Sequence, residues 1–147
     1  SKVISNTGLR GRWDIISNSP LTICDVAHNN EGLELVFNQL LKLKYDKLHI
    51  VFGVNDDKNL DSLFKILPKN ADYYICKSSV PRAMDANKLY DEAVKNGFNA
   101  KVFSDVASAF DEANKCANPE NDVIFVGGST FVVAEVPSLI NSENDEN

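Results

Sequence analysis

Residues 21–41 read LTICDVAHNNEGLELVFNQLL, and a change of rhythm inside this stretch decides the architecture. It opens with a short run of apolar and β-branched residues, which reads as a strand. Further on, Leu33, Val36, Phe37, Leu40 and Leu41 fall at the i, i+3, i+4, i+7, i+8 spacing of a helix with one apolar face. Polar residues and a glycine separate the two patterns. A strand that passes into a helix through a short polar loop is half of a βαβ unit.

The same alternation repeats along the chain. Strand-like runs occupy 47–52 (KLHIVF), 72–77 (DYYICK), 100–103 (AKVF) and 122–126 (DVIFV). Helical stripes lie between them: Leu60, Leu63, Phe64 and Leu67; then Ala86, Leu89, Tyr90, Ala93 and Val94; then Val106, Ala109, Phe110, Ala113 and Ala117. Strand starts recur every ~25 residues, the size of a βα unit with short loops. The runs are apolar throughout rather than alternating, so both sheet faces are expected to be covered, as in a mainly parallel sheet between helix layers. Residues 12–17 (RWDIIS) do alternate, and the turn formers Asn18, Ser19 and Pro20 follow. This segment is expected to form a hairpin with 21–27 and to run antiparallel near the sheet edge. The fold expected is a three-layer αβα, Rossmann-like sandwich of about six strands, mostly parallel with one antiparallel strand.

Composition limits what such a domain can do. The chain has 147 residues, enough for one domain, with 44% hydrophobic and 24% charged residues. No apolar run approaches the ~20 residues that span a bilayer. Lys and Arg total 15 against 21 for Asp and Glu, a net charge of −6. A surface of that sign repels polyanions and argues against nucleic-acid or anionic-membrane partners, while one local Arg or helix terminus can still bind a small anion. Cys24, Cys76 and Cys116 sit in or beside apolar segments without metal-ligand spacing. They read as buried thiols of a cytoplasmic protein.

Ligands of open α/β sheets bind outside the carboxyl ends of the strands, and there the sequence is polar. Asp25 to Gly32 (DVAHNNEG) follows the first buried strand. Asp25 can accept bonds from ribose hydroxyls, His28 can donate to a carboxylate or phosphate, and Asn29 or Asn30 can cap the next helix. The same residues are also common turn and cap formers, so both readings stand. Gly8 to Trp13 (GLRGRW) is a basic hook that suits phosphate or a flexible arm. Gly127-Gly128-Ser129-Thr130 suits either close backbone approach to a ligand or a tight turn with a Ser cap. Asp56 and Asp57 read as caps, and His49 as a sheet histidine. No G-x-x-x-x-G-K-[ST] occurs, so a triphosphate would have to be held by another domain.

In order along the chain, GLRGRW at 8–13, ICDVAHN at 23–29, VFGVNDDK at 51–58, KSSVPRA at 77–83 and VGGST at 126–130 resemble the C-terminal domain of the Mur ligase superfamily. Within it they are similar to the folylpolyglutamate synthase and dihydrofolate synthase branch. The resemblance runs from about Thr7 to about Pro137 and departs modestly, with Val26 where Gly or Tyr is common and Asn30 where Pro is frequent. It implies a domain over 1–140 and an N-terminal ATPase domain that this chain lacks, while the polar, acidic composition of 141–147 (NSENDEN) reads as a disordered tail. It further implies ATP-dependent addition of L-glutamate to a folate or dihydropteroate through an acyl phosphate, with the isolated domain inactive. Arg12 is then expected to reach the ATP phosphates and Asp25 the nucleotide, through its ribose. His28, Asn29 and Ser129 would receive glutamate, with His28 and Arg12 acting in catalysis. ATP and Mg²⁺ are the implied cofactors, bound mainly by the N-terminal domain, and no metal ligand is expected here. A Mur-type cell-wall ligase domain and a stand-alone nucleotide or amino-acid binding module are the alternatives.

Overall fold

The computed structural model describes residues 12–137. The expected tail at 141–147, and Gly8 to Gly11 of the basic hook, lie outside the described residues. Eleven elements follow in the order β1 (Asp14–Asn18), β2 (Leu21–Cys24), α1 (Asn30–Leu41), β3 (Leu48–Phe52), α2 (Leu60–Ile66), β4 (Asp72–Ile75), α3 (Ala86–Lys95), β5 (Asn99–Val102), α4 (Val106–Cys116), β6 (Val123–Gly127) and α5 (Thr130–Ala134). The six strands form one sheet in the order β1-β2-β6-β3-β4-β5. Only β1 runs antiparallel, pairing with β2 through the hairpin at the edge, and every other neighbouring pair is parallel. The expected architecture is the one found.

All five residues of β3 and of β6 are buried, because these two strands lie at the centre with helices on both faces. Side chains alternate across the sheet, and so the core divides in two. Ile23, Ile50, Phe52, Tyr73 and Phe125 face α1, α2 and α3, which contribute Leu33, Phe37, Leu40, Leu63, Phe64 and Leu89. Cys24, Val51, Tyr74, Ile124 and Val126 face α4 and α5, which contribute Val106, Ala109, Ala113, Val132 and Val133. Leu33 and Leu40 are fully buried, each worth about 1.5–3 kcal/mol relative to exposure. The ends of two stripes, Leu41 and Val94, are instead exposed in the last turns of α1 and α3.

The strand expected over 21–27 is shorter than its apolar run, because hydrogen bonding rather than hydrophobicity ends it. After Cys24 the Asp25 carboxylate takes the Ala27 N–H at 2.8 Å, which turns the chain out of the sheet. Asp25 N–H still reaches Val126 O at 3.1 Å, so the loop leaves from beside the end of β6. At the same edge β3 and β6 close together. A Cβ on Gly53 would stand 2.6 Å from the Cys76 carbonyl oxygen, and one on Gly128, whose φ is +100°, would collide with the Gly53 carbonyl.

Candidate functional site

Both oxygens of Asp25 are engaged by backbone. Oδ2 accepts from Trp13 N–H and Oδ1 from Ala27 N–H, each at 2.8 Å. The side chain is only 4% exposed, and it joins the entry to β1 to the loop that leaves β2. Trp13 has φ +50°, a left-handed conformation that non-glycine residues adopt rarely. Arg12, just before it, is exposed. The sequence therefore places Arg12, Asp25, His28 and Asn29 at one edge of the sheet, the carboxyl ends of the parallel strands.

Asn29 is the N-cap of α1, its Oδ1 accepting from Gly32 N–H at 2.8 Å. Its amide group remains exposed beside His28, which is also exposed. The two residues enter an open cleft of about 290 Å³ whose other walls include Asn55, Lys58, Ser62 and Gly128. Two helices start at this cleft, α1 after Asn29 and α2 after Asn59, whose side chain accepts from Ser62 N–H at 2.9 Å. The first-turn N–H groups of these helices favour negative charge in the cleft, and the Asp57 carboxylate, which also lines it, opposes that. Asn30 Nδ2 donates to Ser62 Oγ at 2.9 Å and ties the first turns of α1 and α2 together.

Lys58 bridges the cleft from the other side. Its Nζ donates to the His28 carbonyl at 2.8 Å, fixing the backbone that carries the imidazole. Burial pushes the Lys58 ammonium below its ordinary range, partly opposed by the nearby Asp57 carboxylate. An ammonium with one carbonyl partner retains two N–H donors for a ligand. Sequence reasoning passed over Lys58, Asn55 and Ser62. The signal available was Lys58 at the carboxyl end of a buried strand, behind two acidic residues that were read as caps. Asn59 supplies that cap instead of Asp56 or Asp57, because the helix begins at Leu60.

Ser129 sits differently from its expected companions. It is 1% exposed and caps the short α5, its Oγ accepting from Phe131 N–H at 3.0 Å, while Gly128 rather than Ser129 lines the cleft. The hydroxyl proton remains available to donate. Arg82 is exposed at a turn whose carbonyl accepts Asp56 N–H at 2.7 Å. Ser79 binds Glu135 through N–H and Oγ, the latter at 2.7 Å, and so ties that turn to the end of α5.

Cys24 and Cys76 are buried as expected, but Cys116 is exposed at the last residue of α4. The Cys116 Sγ meets the Glu112 carboxylate one turn back, at 3.5 Å. Burial pushes both buried thiols up, Cys76 to about 12, which suits packing and not nucleophilic attack. Among the described residues no group of three or more His, Cys, Asp or Glu side chains could hold a metal ion. No described helix is long and apolar enough to cross a membrane.

Comparison with known proteins places these features in a family. The family model described as "Mur ligase, glutamate ligase domain" matches residues 11–130. A probable bifunctional folylpolyglutamate synthase/dihydropteroate synthase of Haloferax volcanii is 32% identical over 133 residues, covering 90% of this chain and 16% of that protein. The dihydrofolate synthase/folylpolyglutamate synthase of Escherichia coli is 33% identical over 141 residues, covering 95% of this chain and 32% of that protein. The crystal structure of the bifunctional folylpolyglutamate synthase/dihydrofolate synthase of Yersinia pestis complexed with AMPPNP and Mn superposes with a TM-score of 0.80 at 31% identity, over 92% of this chain and 32% of that one. The chain thus spans a third or less of the length of the relatives it matches.

Proposed function

The chain belongs to the Mur ligase family as a glutamate ligase domain, and from that premise we propose that it serves an ATP-dependent ligase that joins L-glutamate to a folate or to dihydropteroate. The observation that carries this reading is the common edge reached by Arg12, Asp25, His28 and Asn29, opening into a cleft flanked by two helix N-termini and Lys58. That arrangement offers donors to two anions, the phosphates of a nucleotide and the carboxylates of an amino acid.

The reaction needs an acceptor carboxylate to be phosphorylated by ATP, giving an acyl phosphate. The amine of glutamate then attacks the acyl carbon, and phosphate departs from the tetrahedral intermediate with the bonding electrons. Negative charge grows on the carbonyl oxygen and on phosphate, so fixed cations and N–H groups lower the barrier. Arg12 takes the ATP phosphates, with Asp25 beside it on the nucleotide side. His28 and the amide of Asn29 receive glutamate, joined by the Lys58 ammonium, while Ser129, buried and outside the cleft lining, holds the start of α5 beside Gly128. Mg²⁺ belongs to the triphosphate side, which an N-terminal ATPase domain would hold, and no step runs through a metal on this chain. The three free cysteines suit a reducing cytoplasm.

The test uses the protein in its full encoded length. Incubation with ATP, Mg²⁺, glutamate and either dihydropteroate or tetrahydrofolate, followed by mass spectrometry, is expected to show the mass gain of added glutamyl units. No gain with either acceptor rejects the folate reading and turns the search to peptidoglycan precursors.

A further inference from the structure

Two amide oxygens in the cleft, Oδ1 of Asn30 and Oδ1 of Asn55, are buried without a hydrogen-bond donor among the described residues. Ser62 decides which end of the Asn30 amide is left over. Its Oγ donates to Asn59 O at 3.2 Å, so it accepts from Asn30 Nδ2 at 2.9 Å, and Oδ1 remains unpaired. A buried acceptor without a donor destabilises the fold, and native proteins leave few of them. Two that belong to the walls of one cleft point to a group that brings N–H donors from outside. Both residues are only half-buried, so a small turn about the side-chain torsion, whose energy well is broad, brings each oxygen to the cleft surface.

The rest of the cleft serves the opposite charge. The Lys58 ammonium and the first-turn N–H groups of α1 and α2 suit carboxylates. We propose that Asn55 and Asn30 receive the amino group of the incoming amino acid, so that the cleft binds a zwitterion by both poles. The inference rests on the reading of this cleft as the glutamate site, and it names the half that selects an α-amino acid over a plain dicarboxylate. Neutral amide oxygens suit this task better than a carboxylate in the same place. They accept two N–H bonds and orient the nitrogen, whereas a carboxylate would favour the protonated ammonium, which has no lone pair for the acyl carbon. Asp57, the carboxylate at the cleft, is exposed, and solvent screens its charge.

The experiment uses the full encoded protein, its Asn55→Leu and Asn30→Pro variants, and glutarate, which is glutamate without the amine, as a competing ligand. Leucine keeps the size of asparagine and removes the acceptor. Proline suits position 30, the first residue of α1, because a helix leaves that N–H unpaired and Asn29 before it is already extended. Three quantities are read: KM for glutamate, the inhibition constant of glutarate, and the urea midpoint. In the parent, glutarate is expected to bind at least tenfold more weakly than glutamate. Each variant is expected to raise KM for glutamate about tenfold, the loss of one hydrogen bond to a charged group, and to leave the glutarate constant as in the parent. The midpoint of Asn55→Leu is expected to equal or exceed that of the parent, because an orphaned acceptor has been replaced by an apolar group.

An unchanged KM for glutamate in either variant overturns the inference and leaves the unpaired oxygens to water, while the ligase reading stands. Equal losses for glutamate and glutarate overturn it as well, since the two asparagines would then shape the carboxylate side. Equal binding of the two ligands by the parent shows that the cleft does not sense the amine at all. A lower midpoint for Asn55→Leu means that its amide is bonded within the fold, which removes the premise of an orphaned acceptor. Failure of the parent to join glutamate to either folate acceptor is the separate result that rejects the ligase reading, and this inference with it.

Discussion

The chain has two histidines, and they stand at opposite ends of the sheet under opposite conditions. His28 is exposed at the carboxyl edge, in a cleft where only its backbone carbonyl has a partner. His49, the second residue of β3, is 1% exposed near the other edge, with Nδ1 2.8 Å from the Tyr74 hydroxyl and Nε2 2.8 Å from Asp122 Oδ2. A carboxylate partner assigns the proton to Nε2, and Tyr74 then donates to Nδ1. Asp122 also accepts from Lys47 N–H at 3.2 Å and Asn118 N–H at 2.9 Å, so it binds together the loops that precede β3 and β6. The difference shows how one residue type serves two ends. Where every polar atom is paired and dry, the group holds the fold; where the side chain keeps unpaired donors facing a cleft, it can serve a ligand.

The comparison is most exposed to refutation at Asp122. Asp122→Ala strands the buried Nε2–H of His49 together with the part-buried N–H groups of Lys47 and Asn118, and the expected loss is about 3–5 kcal/mol of unfolding free energy, read from urea midpoints in the parent and variant. Glutamate and ATP affinities of the molecules that remain folded should not change. A loss below ~1 kcal/mol would show that water replaces the network and that the far edge is not the structural end.

Gly128 tests the opposite half of the same contrast, since it is a position at the ligand edge that holds the fold. Gly128→Ala forces a Cβ against the Gly53 carbonyl at a φ of +100°. Overpacking with left-handed strain costs roughly 2–4 kcal/mol, measurable by the same denaturation. A neutral substitution would mean that β3 and β6 separate easily at the cleft, and the two ends would then differ less than argued.

A pH titration sharpens the contrast further. Burial pushes the Asp122 carboxyl up, but bonds from Asn118 N–H, His49 and Lys47 N–H outweigh it and hold the group below the usual carboxylate range. The folded state thus binds this proton less readily than the unfolded state. The contribution to stability is complete above the unfolded value of about 4 and is lost as pH falls through the lowered folded value. Unfolding midpoints should therefore hold level near neutrality and decline in that acid range, and Asp122→Asn should decline less steeply there.

The sheet, its single antiparallel strand and the helix order were legible because burial on two faces writes continuous apolar runs, while helices write a 3.6-residue period. Strand ends were less legible: the run at 21–27 continues past Cys24, but Asp25 bends the chain by side-chain hydrogen bonds that periodicity does not record. The carboxyl-edge loops pointed to His28 and Asn29 for the same reason that they pointed to turns, since polar residues collect there in both cases. Lys58 stayed hidden because its meaning comes from a bond to a carbonyl 30 residues away. Cys116 misled because a thiol at the end of an apolar stripe looks buried, whereas this one is the exposed last residue of α4.

The smallest expected change in stability is at His28, and that makes it the cleanest separation of the two ends. His28 carries its imidazole in solvent, and its carbonyl bond to Lys58 belongs to the backbone, which survives substitution. His28→Ala should thus leave unfolding free energy within about 0.5 kcal/mol of the parent. Its effect belongs to glutamate instead. Loss of one hydrogen bond to a carboxylate, worth about 1.5 kcal/mol, corresponds to roughly a tenfold higher KM for glutamate with little change for ATP. A matched His49→Ala should do the reverse, lowering stability while sparing glutamate KM. If His28→Ala unfolds the protein, or if both histidines shift glutamate KM alike, exposure and pairing do not separate ligand groups from structural ones here. An unchanged KM with stability intact removes His28 from the glutamate site.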